Sequence, residues 1–164
     1  MFELSDEQKA DYFRRSFTAA DGLWCMKVEE RYGFDTALAI DAEVWAVVPK
    51  IQARMFQSFS GESSGMEALL EALETKLDME GFTFEIRNAA ADSFEIAILE
   101  CPWHMKMVQS GRARLSEKVG LAVCTTEFAV WAAEYGDGIT FKLTGQVCGG
   151  DKACVLSYTR FGNE

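Results

Sequence analysis

Four cysteines in the second half of the chain have the types and spacing that could do chemistry. Cys101 follows an apolar strand-like run, Cys124 precedes a helical run, and Cys148 and Cys154 flank a glycine-rich turn. Proteins bring thiolates from separate elements together in this way around one zinc ion or iron centre, typically in sets of four. The sequence therefore predicts that these four thiols converge on a metal site, with zinc as the expected metal.

Two other interpretations use the same residues. Cys124, placed at a helix start, would have its thiolate stabilised by the helix amides, and would act as a nucleophile with His104 or Glu127 carrying the proton. Alternatively, some of the cysteines are only small buried apolar residues, as free cysteines often are. Cys25 lies within a predicted helix beside a tryptophan, and there we expect core packing.

The length and the net charge of the chain limit the functions that these residues can have. A chain of 164 residues is long enough to bury a core without disulfides. The formal net charge of −10 argues against binding to nucleic acid or to an anionic membrane. Neither a signal-peptide pattern nor a membrane-spanning apolar run is apparent, so we expect a cytoplasmic protein with reduced cysteines. The expected partner is a small-molecule ligand, and a homodimer is left open.

The first part of the chain has the pattern of helices. Ser5 begins a capping-box pattern, and apolar residues then recur every three or four positions up to Gly33. A second helix is predicted from Asp35 to Phe59, with a kink at Pro49 because proline has no amide hydrogen to donate. After a polar loop, a third helix is predicted from about Met66 to Asp78.

From Gly81 the apolar period changes to two, which is typical of strands. The pattern predicts a hairpin, two helices and a second hairpin, in that order. Their expected ranges are strands 82–86 and 94–98, helices 104–116 and 125–135, and strands 139–147 and 154–161.

These elements predict an α+β fold, with N-terminal helices followed by two β-hairpins that form an antiparallel sheet with helices packed on one face. We expect one domain over residues 1–164. Its helical N-terminal part would cover residues 1–80, and its strand-helix-strand part, residues 81–164, would carry the four cysteines.

The residues around these cysteines resemble a known family. The motifs are Cys101-Pro, Cys124-Thr-Thr-Glu, and Cys148 followed by Gly-Asp-Lys-Ala-Cys154 and an apolar strand. They are similar to those of the L-2-amino-thiazoline-4-carboxylic acid hydrolase-like family. They also resemble the related 4-vinyl-reductase (bacteriochlorophyll-reductase-like) domain of small-molecule sensors.

The resemblance implies a zinc site and a small-molecule ligand. In the sensor domain, cysteines before the helix and on the hairpin bind zinc together with a glutamate three residues before the first hairpin cysteine. Gly145 occupies that position here, so the resemblance implies Cys101 or Glu127 as the substitute ligand. The hydrolase-like family implies a different activity, a C–N or C–S ring opening with Cys124 as the nucleophile.

The N-terminal helices supply a candidate ligand site. An uncharacterised branch of the hydrolase-like family has a similar N-terminal pattern, and in this sequence carboxylates interrupt the aromatic helical stretches. A carboxylate near two indoles could recognise an amine or amidine, although solvated helix charges are the simpler interpretation. The candidate ligand-binding residues are Trp24, Glu29, Asp41 and Trp45.

Three functions follow from the sequence. The first is a small-molecule-binding domain with a cysteine-ligated metal, most simply zinc. The second is a hydrolase of the L-2-amino-thiazoline-4-carboxylate type that uses Cys124, His104 and Glu127. The third is an iron-sulfur or corrinoid-associated accessory protein in which the same cysteines hold iron and sulfide.

Overall fold

A computed structural model describes residues 2–62, 64–136 and 138–160 of the chain. Two compact units are present, residues 1–41 and residues 42–164. The elements in chain order are α1 (Asp6–Tyr32), α2 (Phe34–Val44), α3 (Val48–Ser60), α4 (Met66–Glu80), β1 (Thr83–Arg87), β2 (Ser93–Glu100), α5 (Pro102–Gln109), α6 (Ala113–Tyr135), β3 (Ile139–Thr144), a 3₁₀ helix (Val147–Gly149) and β4 (Cys154–Arg160).

The first unit contains α1 and most of α2. The Ser5 side chain accepts a hydrogen bond from the Gln8 amide at 3.2 Å, and the Gln8 side chain accepts one from the Ser5 amide at 2.9 Å. This reciprocal pair satisfies two amides that the first helical turn would otherwise leave without partners. The predicted capping box is therefore confirmed. Gly33, whose φ is 85°, ends the helix where the sequence predicted.

The single kinked helix predicted from Asp35 to Phe59 is wrong. The chain forms two helices there, and a turn at residues 45–47 separates α2 from α3. Pro49 lies in the first turn of α3. At that position the missing amide hydrogen costs nothing, because the first amides of a helix have no intrahelical partner. The proline therefore starts a helix instead of bending one.

The second unit is built on a four-stranded antiparallel sheet with the order β1-β2-β4-β3. The two hairpins meet where β2 pairs with β4, and Ile96 lies opposite Leu156 in that pair. Phe94, Ile96 and Leu156 are buried on the face that packs against the helices. The predicted α+β fold, with N-terminal helices and a sheet made from two hairpins, is confirmed.

Helices α4 and α6 supply most of the side chains that bury this face. The apolar side chains of α6 pack on the sheet, and the indole of Trp131 stacks on the ring of Tyr135 with 6.1 Å between the ring centroids. Burial of such large apolar surfaces is the main favourable term for the second unit. The largest fully buried helical side chains are Leu69, Leu73, Leu77, Phe128, Trp131 and Tyr135.

Three predicted boundaries differ from the structure. The helix predicted over residues 104–116 ends at Gln109, and α6 begins at Ala113, after a turn that contains Gly111 with a φ of 72°. The helix predicted from residue 125 is therefore only the second half of α6. Strand β3 ends at Thr144 and not at residue 147. Strand β4 is described to Arg160, and residue 161 lies outside the described residues.

None of the described helices is both long enough and apolar enough to span a membrane.

Candidate functional site

The four cysteines lie on four different segments of the second unit. Cys101 follows β2 and is the N-cap of α5, where its sulfur accepts a hydrogen bond from the His104 amide at 3.5 Å. Cys154 is the first residue of β4, and Cys148 lies within the 3₁₀ helix. Cys124 lies in the middle of α6. The prediction that Cys124 opens a helix is therefore wrong, and so is the proposed stabilisation of its thiolate by helix N-terminal amides.

The structure brings these four segments into one region. The side chains of Cys101, Cys124 and Cys154 pack against the same hydrophobic core. Negative charge on Cys101, Cys148 or Cys154 acts on Cys124, and such interactions fade steeply with distance. The four half-buried thiols therefore share one part of the second unit. The described residues nevertheless include no group of three or more His, Cys, Asp or Glu side chains in an arrangement that could hold a metal ion.

Burial keeps these thiols protonated. It raises the pKa of Cys101 to about 11, and the pKa of Cys124 is raised well above its ordinary value, first by burial and then by the charge of Glu127. Burial is also the main cause of the raised pKa values of Cys148 and Cys154. A nucleophilic cysteine needs the opposite environment, one that lowers its pKa.

Carboxylates reinforce this effect. Glu117 raises the pKa of Cys148, and Asp151 raises the pKa of Cys154. Together with Glu127, they place negative charge next to three of the four thiols. A cation in this region would reverse the electrostatic cost of forming thiolates.

Two glycines are needed by the local geometry. Gly145 has a φ of 67°, and a Cβ atom there would lie 2.6 Å from the backbone oxygen of Ala153. A side chain is therefore excluded at position 145. A Cβ atom on Gly120 of α6 would lie 2.9 Å from the sulfur of Cys148. The sulfur of Cys154 accepts a hydrogen bond from the Val147 amide at 3.2 Å, which ties the 3₁₀ helix to β4.

The model of one protein family, described as a family of unknown function (DUF6125), matches residues 3–154. The chain belongs to this family. The matched region includes all five cysteines and ends at Cys154. The comparison with curated proteins gave no match. The matched region spans the N-terminal helices and the segments that carry the cysteines, and the family description assigns no activity to either.

This DUF6125 chain also has a buried ion-pair cluster one helical turn from Cys124. The Lys76 ammonium lies 2.7 Å from a carboxylate oxygen of Glu127 and 2.7 Å from one of Glu80. Burial by itself lowers the pKa of Lys76, but the charges of Glu127 and Glu80 outweigh it and hold that pKa above its ordinary value. The predicted roles of Glu127, as a proton carrier or a ligand, must therefore compete with a strong ion pair.

Sequence reasoning missed this cluster, although a signal was present. Lys76 follows Leu69 by seven residues and Leu73 by three, so it lies on the buried stripe of α4. A lysine on such a stripe is expected to have a buried carboxylate partner. Glu127 similarly precedes the buried Phe128 and Trp131 of α6 by one and four residues.

His104 is half-buried on α5, and its Nδ1 atom lies 3.0 Å from the hydroxyl oxygen of Ser116. The Ser116 hydroxyl donates its own hydrogen to the backbone oxygen of Ala113 at 2.7 Å. The serine oxygen is therefore left to accept, which assigns to Nδ1 of His104 the hydrogen that it donates to Ser116.

The candidate ligand-binding residues divide between the two units. In the first unit, the side chain of Trp24 is 69% exposed and Glu29 is half-buried. Burial, followed by the charge of Asp21, raises the pKa of Asp41 to about 6. In the second unit, Trp45 is buried and packs edge-to-face on Trp103, with 5.8 Å between the ring centroids.

A small cavity lies beside the 3₁₀ helix that carries Cys148. Its volume is about 260 Å³. Two carboxylates, a glutamine and two leucines give it both polar and apolar walls. The lining residues are Glu117, Leu121, Leu143, Gly145, Gln146, Gly149 and Asp151.

Proposed function

We propose that this protein binds a zinc ion through the thiols of Cys101, Cys124, Cys148 and Cys154, and that the metal organises a small-molecule-binding domain. One observation carries the proposal. The segments that carry the four cysteines are neighbours: Cys154 lies opposite Ile98 of β2, three residues before Cys101. A Cβ atom on Gly120, one turn of α6 before Cys124, would lie 2.9 Å from the sulfur of Cys148. Apolar packing alone gives no reason for four segments to place thiols together, whereas metal binding by sulfur does.

The charges around the thiols support a cation over a nucleophilic thiolate. Glu117, Glu127 and Asp151 all disfavour thiolate formation, and no helix N-terminus supports Cys124. A nucleophile would therefore be mostly protonated near neutral pH. Binding of zinc releases the thiol protons and compensates the negative charge. The same surroundings that hinder thiol chemistry thus favour uptake of a divalent metal.

Zinc binding requires the thiols to move into ligand geometry. The segment best placed to move is the 3₁₀ helix, because Cys148 is followed by Gly149 and Gly150, and the φ of Gly150 is 98°. Cys124 and Cys154 are held by α6 and β4. We therefore expect zinc binding to shift residues 145–153 while the sheet stays unchanged.

The family resemblance agrees with this choice of ligands. The sensor domain uses a glutamate where this chain has Gly145, and a side chain is excluded there. Cys101, on the loop after β2, replaces it in the proposed set. The cavity beside Cys148, with Glu117 and Asp151 in its wall, fits a small ligand that carries an amine or amidine. Within the first unit, Trp24, Glu29 and Asp41 remain a second proposed ligand site.

The two other functions use the same residues. A thiazoline-type hydrolase would need Cys124 as the nucleophile with His104 or Glu127 as the proton carrier, and the buried, protonated Cys124 disfavours it. An iron-sulfur or corrinoid-associated protein would bind iron and sulfide at the four thiols. Zinc, iron and sulfide content distinguish these functions directly.

The test is elemental analysis of protein purified without oxygen, together with metal-free protein titrated with zinc. We expect one equivalent of zinc and a higher melting temperature in its presence. Cys154→Ser should reduce the amount of bound zinc and remove most of the stabilisation by zinc. The control is Cys25→Ser, which alters the cysteine outside the proposed site, and it should retain both the zinc and the stabilisation. Stoichiometric iron and sulfide would favour the cluster protein. No metal, and no effect of zinc on the melting temperature, would contradict the proposal.

A further inference from the structure

Helix α1 exposes an apolar stripe. Its members recur in alternating steps of three and four residues, which is the spacing of the a and d positions of a coiled coil. Phe13 and Trp24 are each 69% exposed, and Phe17 is 40% exposed. No residue of α1 is buried. The stripe, here named the α1 seam, consists of Ala10, Phe13, Phe17, Ala20 and Trp24.

Most of the half-buried residues of α1 lie on a neighbouring face, whereas Val28, which is also half-buried, lies in line with the α1 seam one turn after Trp24. Thr18, Asp21 and Cys25 are half-buried, and at 100° per residue they fall on a side of the helix that is rotated away from the α1 seam. Phe13 and Trp24 of the α1 seam are therefore mostly exposed to solvent. Exposed apolar patches of this kind usually mark interaction sites.

We propose that the α1 seam pairs with the α1 seam of a second copy of this chain in an antiparallel dimer. A seam with a/d spacing is complementary to itself, and a two-fold axis lets one surface serve both copies. In one antiparallel register, Phe13 faces the partner's Trp24 and Phe17 faces the partner's Ala20. Each large side chain then has either an aromatic ring or a small residue opposite it.

The charges at the helix ends fit this direction. In the same register Asp6, in the first turn of α1, faces the partner's Arg31 in the last turn. The side chain of Asp6 is 98% exposed. A parallel dimer would instead place Asp6 opposite its own copy, which costs free energy. Antiparallel pairing also sets opposite ends of the two helix dipoles side by side.

The exposed aromatic side chains supply part of the area that a stable dimer needs. Aromatic side chains carry about 150–250 Å² each, so Phe13, Phe17 and Trp24 together expose roughly 400 Å² per copy and roughly 800 Å² in two copies. The helix is about 40 Å long, and its alanines and the aliphatic stems of its charged residues add to the contact. Specific dimers bury about 1,200–2,000 Å² in total, so the alanines and aliphatic stems must supply at least about a third of the contact.

The test is the mass of the full chain in solution, measured by sedimentation over a range of concentrations. We expect a monomer–dimer equilibrium. Trp24→Glu and Phe13→Glu should each raise the dissociation constant by at least about thirtyfold, the effect of losing a central interface residue. Met79→Glu is the matched control, because Met79 is apolar and 64% exposed on α4, and it should leave the dimer unchanged.

A charge exchange tests the direction of pairing. Asp6→Arg and Arg31→Asp should each weaken the dimer severalfold, and the double variant should restore it. These exposed substitutions leave the apolar seam intact, so they report on pairing even if the glutamate variants fold poorly. A wild-type chain that stays monomeric at millimolar concentration would overturn the proposal, and so would a dimer that Trp24→Glu leaves intact. A double variant that dimerises more weakly than either single variant would exclude the antiparallel arrangement.

Discussion

The first and the last helix of this chain are both long, yet different interactions stabilise them. Helix α1 spans 27 residues, begins at a capping box and buries no residue. Helix α6 spans 23 residues, has no side-chain cap hydrogen bond at its start and buries six residues. Local interactions therefore define α1, whereas packing on the sheet defines α6.

The comparison shows what apolar periodicity can and cannot indicate. Both helices repeat aromatic residues at steps of three or four, as Phe13 and Phe17 do in α1 and Phe128 and Trp131 do in α6. The period identifies the helix and the stripe. It does not identify what covers the stripe, and in α1 the stripe is exposed whereas in α6 it lies in the core.

Replacing one tryptophan in each helix should give the largest difference. Trp131 is fully buried, so Trp131→Ala should lower the free energy of unfolding by about 4 kcal/mol, from lost apolar burial and the cavity left behind. Trp24→Ala should lower it by less than about 1 kcal/mol, because Trp24 is mostly exposed. Urea denaturation at low protein concentration measures both values. Equal losses would show that α1 has a buried face in solution.

Removing one ion pair in each region should give a difference in stability almost as large as that between the two tryptophan variants. Lys76→Ala leaves Glu80 and Glu127 without their shared buried cation, and we expect a loss of about 3 kcal/mol. Lys27→Ala removes an exposed pair with Glu30 on α1 and should cost less than about 0.5 kcal/mol. The same denaturation experiment applies. A small effect of Lys76→Ala would mean that water reaches the two carboxylates.

The capping box should matter to α1 alone. Ser5→Ala removes the side-chain acceptor of the Gln8 amide and should destabilise α1 by about 1 kcal/mol. Ser16→Ala, at an exposed position within the same helix, should be neutral or slightly stabilising because alanine is the better helix former. Amide hydrogen exchange in the first turns of α1 measures this. If amide exchange in β2 and β4 accelerates equally, α1 and the sheet unfold together. Local interactions alone would then not define α1.

The parts of the fold that could be predicted are those with short-range causes. Ser5, Gly33 and the alternating residues of the two hairpins mark their elements by local chemistry, and the structure confirms them. The helix breaks around Pro49 and Gly111 were misplaced. A proline is compatible with either a kink or a helix start, and the choice depends on packing that a local pattern does not contain.

The candidate site likewise has features that the sequence could predict and features that it could not. The four cysteines were recognisable from their residue type, but the position of Cys124 within α6 depended on where that helix begins. The pairing of Lys76 with Glu127 joins residues far apart in sequence, on α4 and α6. The close approach of Gly120 to Cys148 likewise joins α6 to the 3₁₀ helix. Such contacts follow from tertiary structure and leave no local pattern.

The pH dependence of stability should give the smallest effect, and it reports on the first unit. Burial and the charge of Asp21 raise the pKa of Asp41 to about 6, whereas an aspartate in an unfolded chain has a pKa of about 3.9. Between these values the folded chain binds more protons than the unfolded chain. The contribution of Asp41 to the free energy of unfolding should therefore decrease as the pH rises from about 4 to about 6, and stay constant above that range.

Asp41→Asn should remove this decrease, because asparagine does not titrate. Asp78→Asn, at an exposed position on α4, is the control and should keep it. Unfolding free energies measured every half pH unit, for the three proteins in parallel, isolate the contribution of Asp41 from the carboxylates that all three share. If the free energy of unfolding changes with pH equally in the wild type and in Asp41→Asn, then the Asp41 carboxylate is solvated, as expected on an ordinary helix surface. If only Asp41→Asn loses the slope, the first unit holds a carboxylate whose pKa burial has raised, and a cationic amine bound beside it should lower that pKa again.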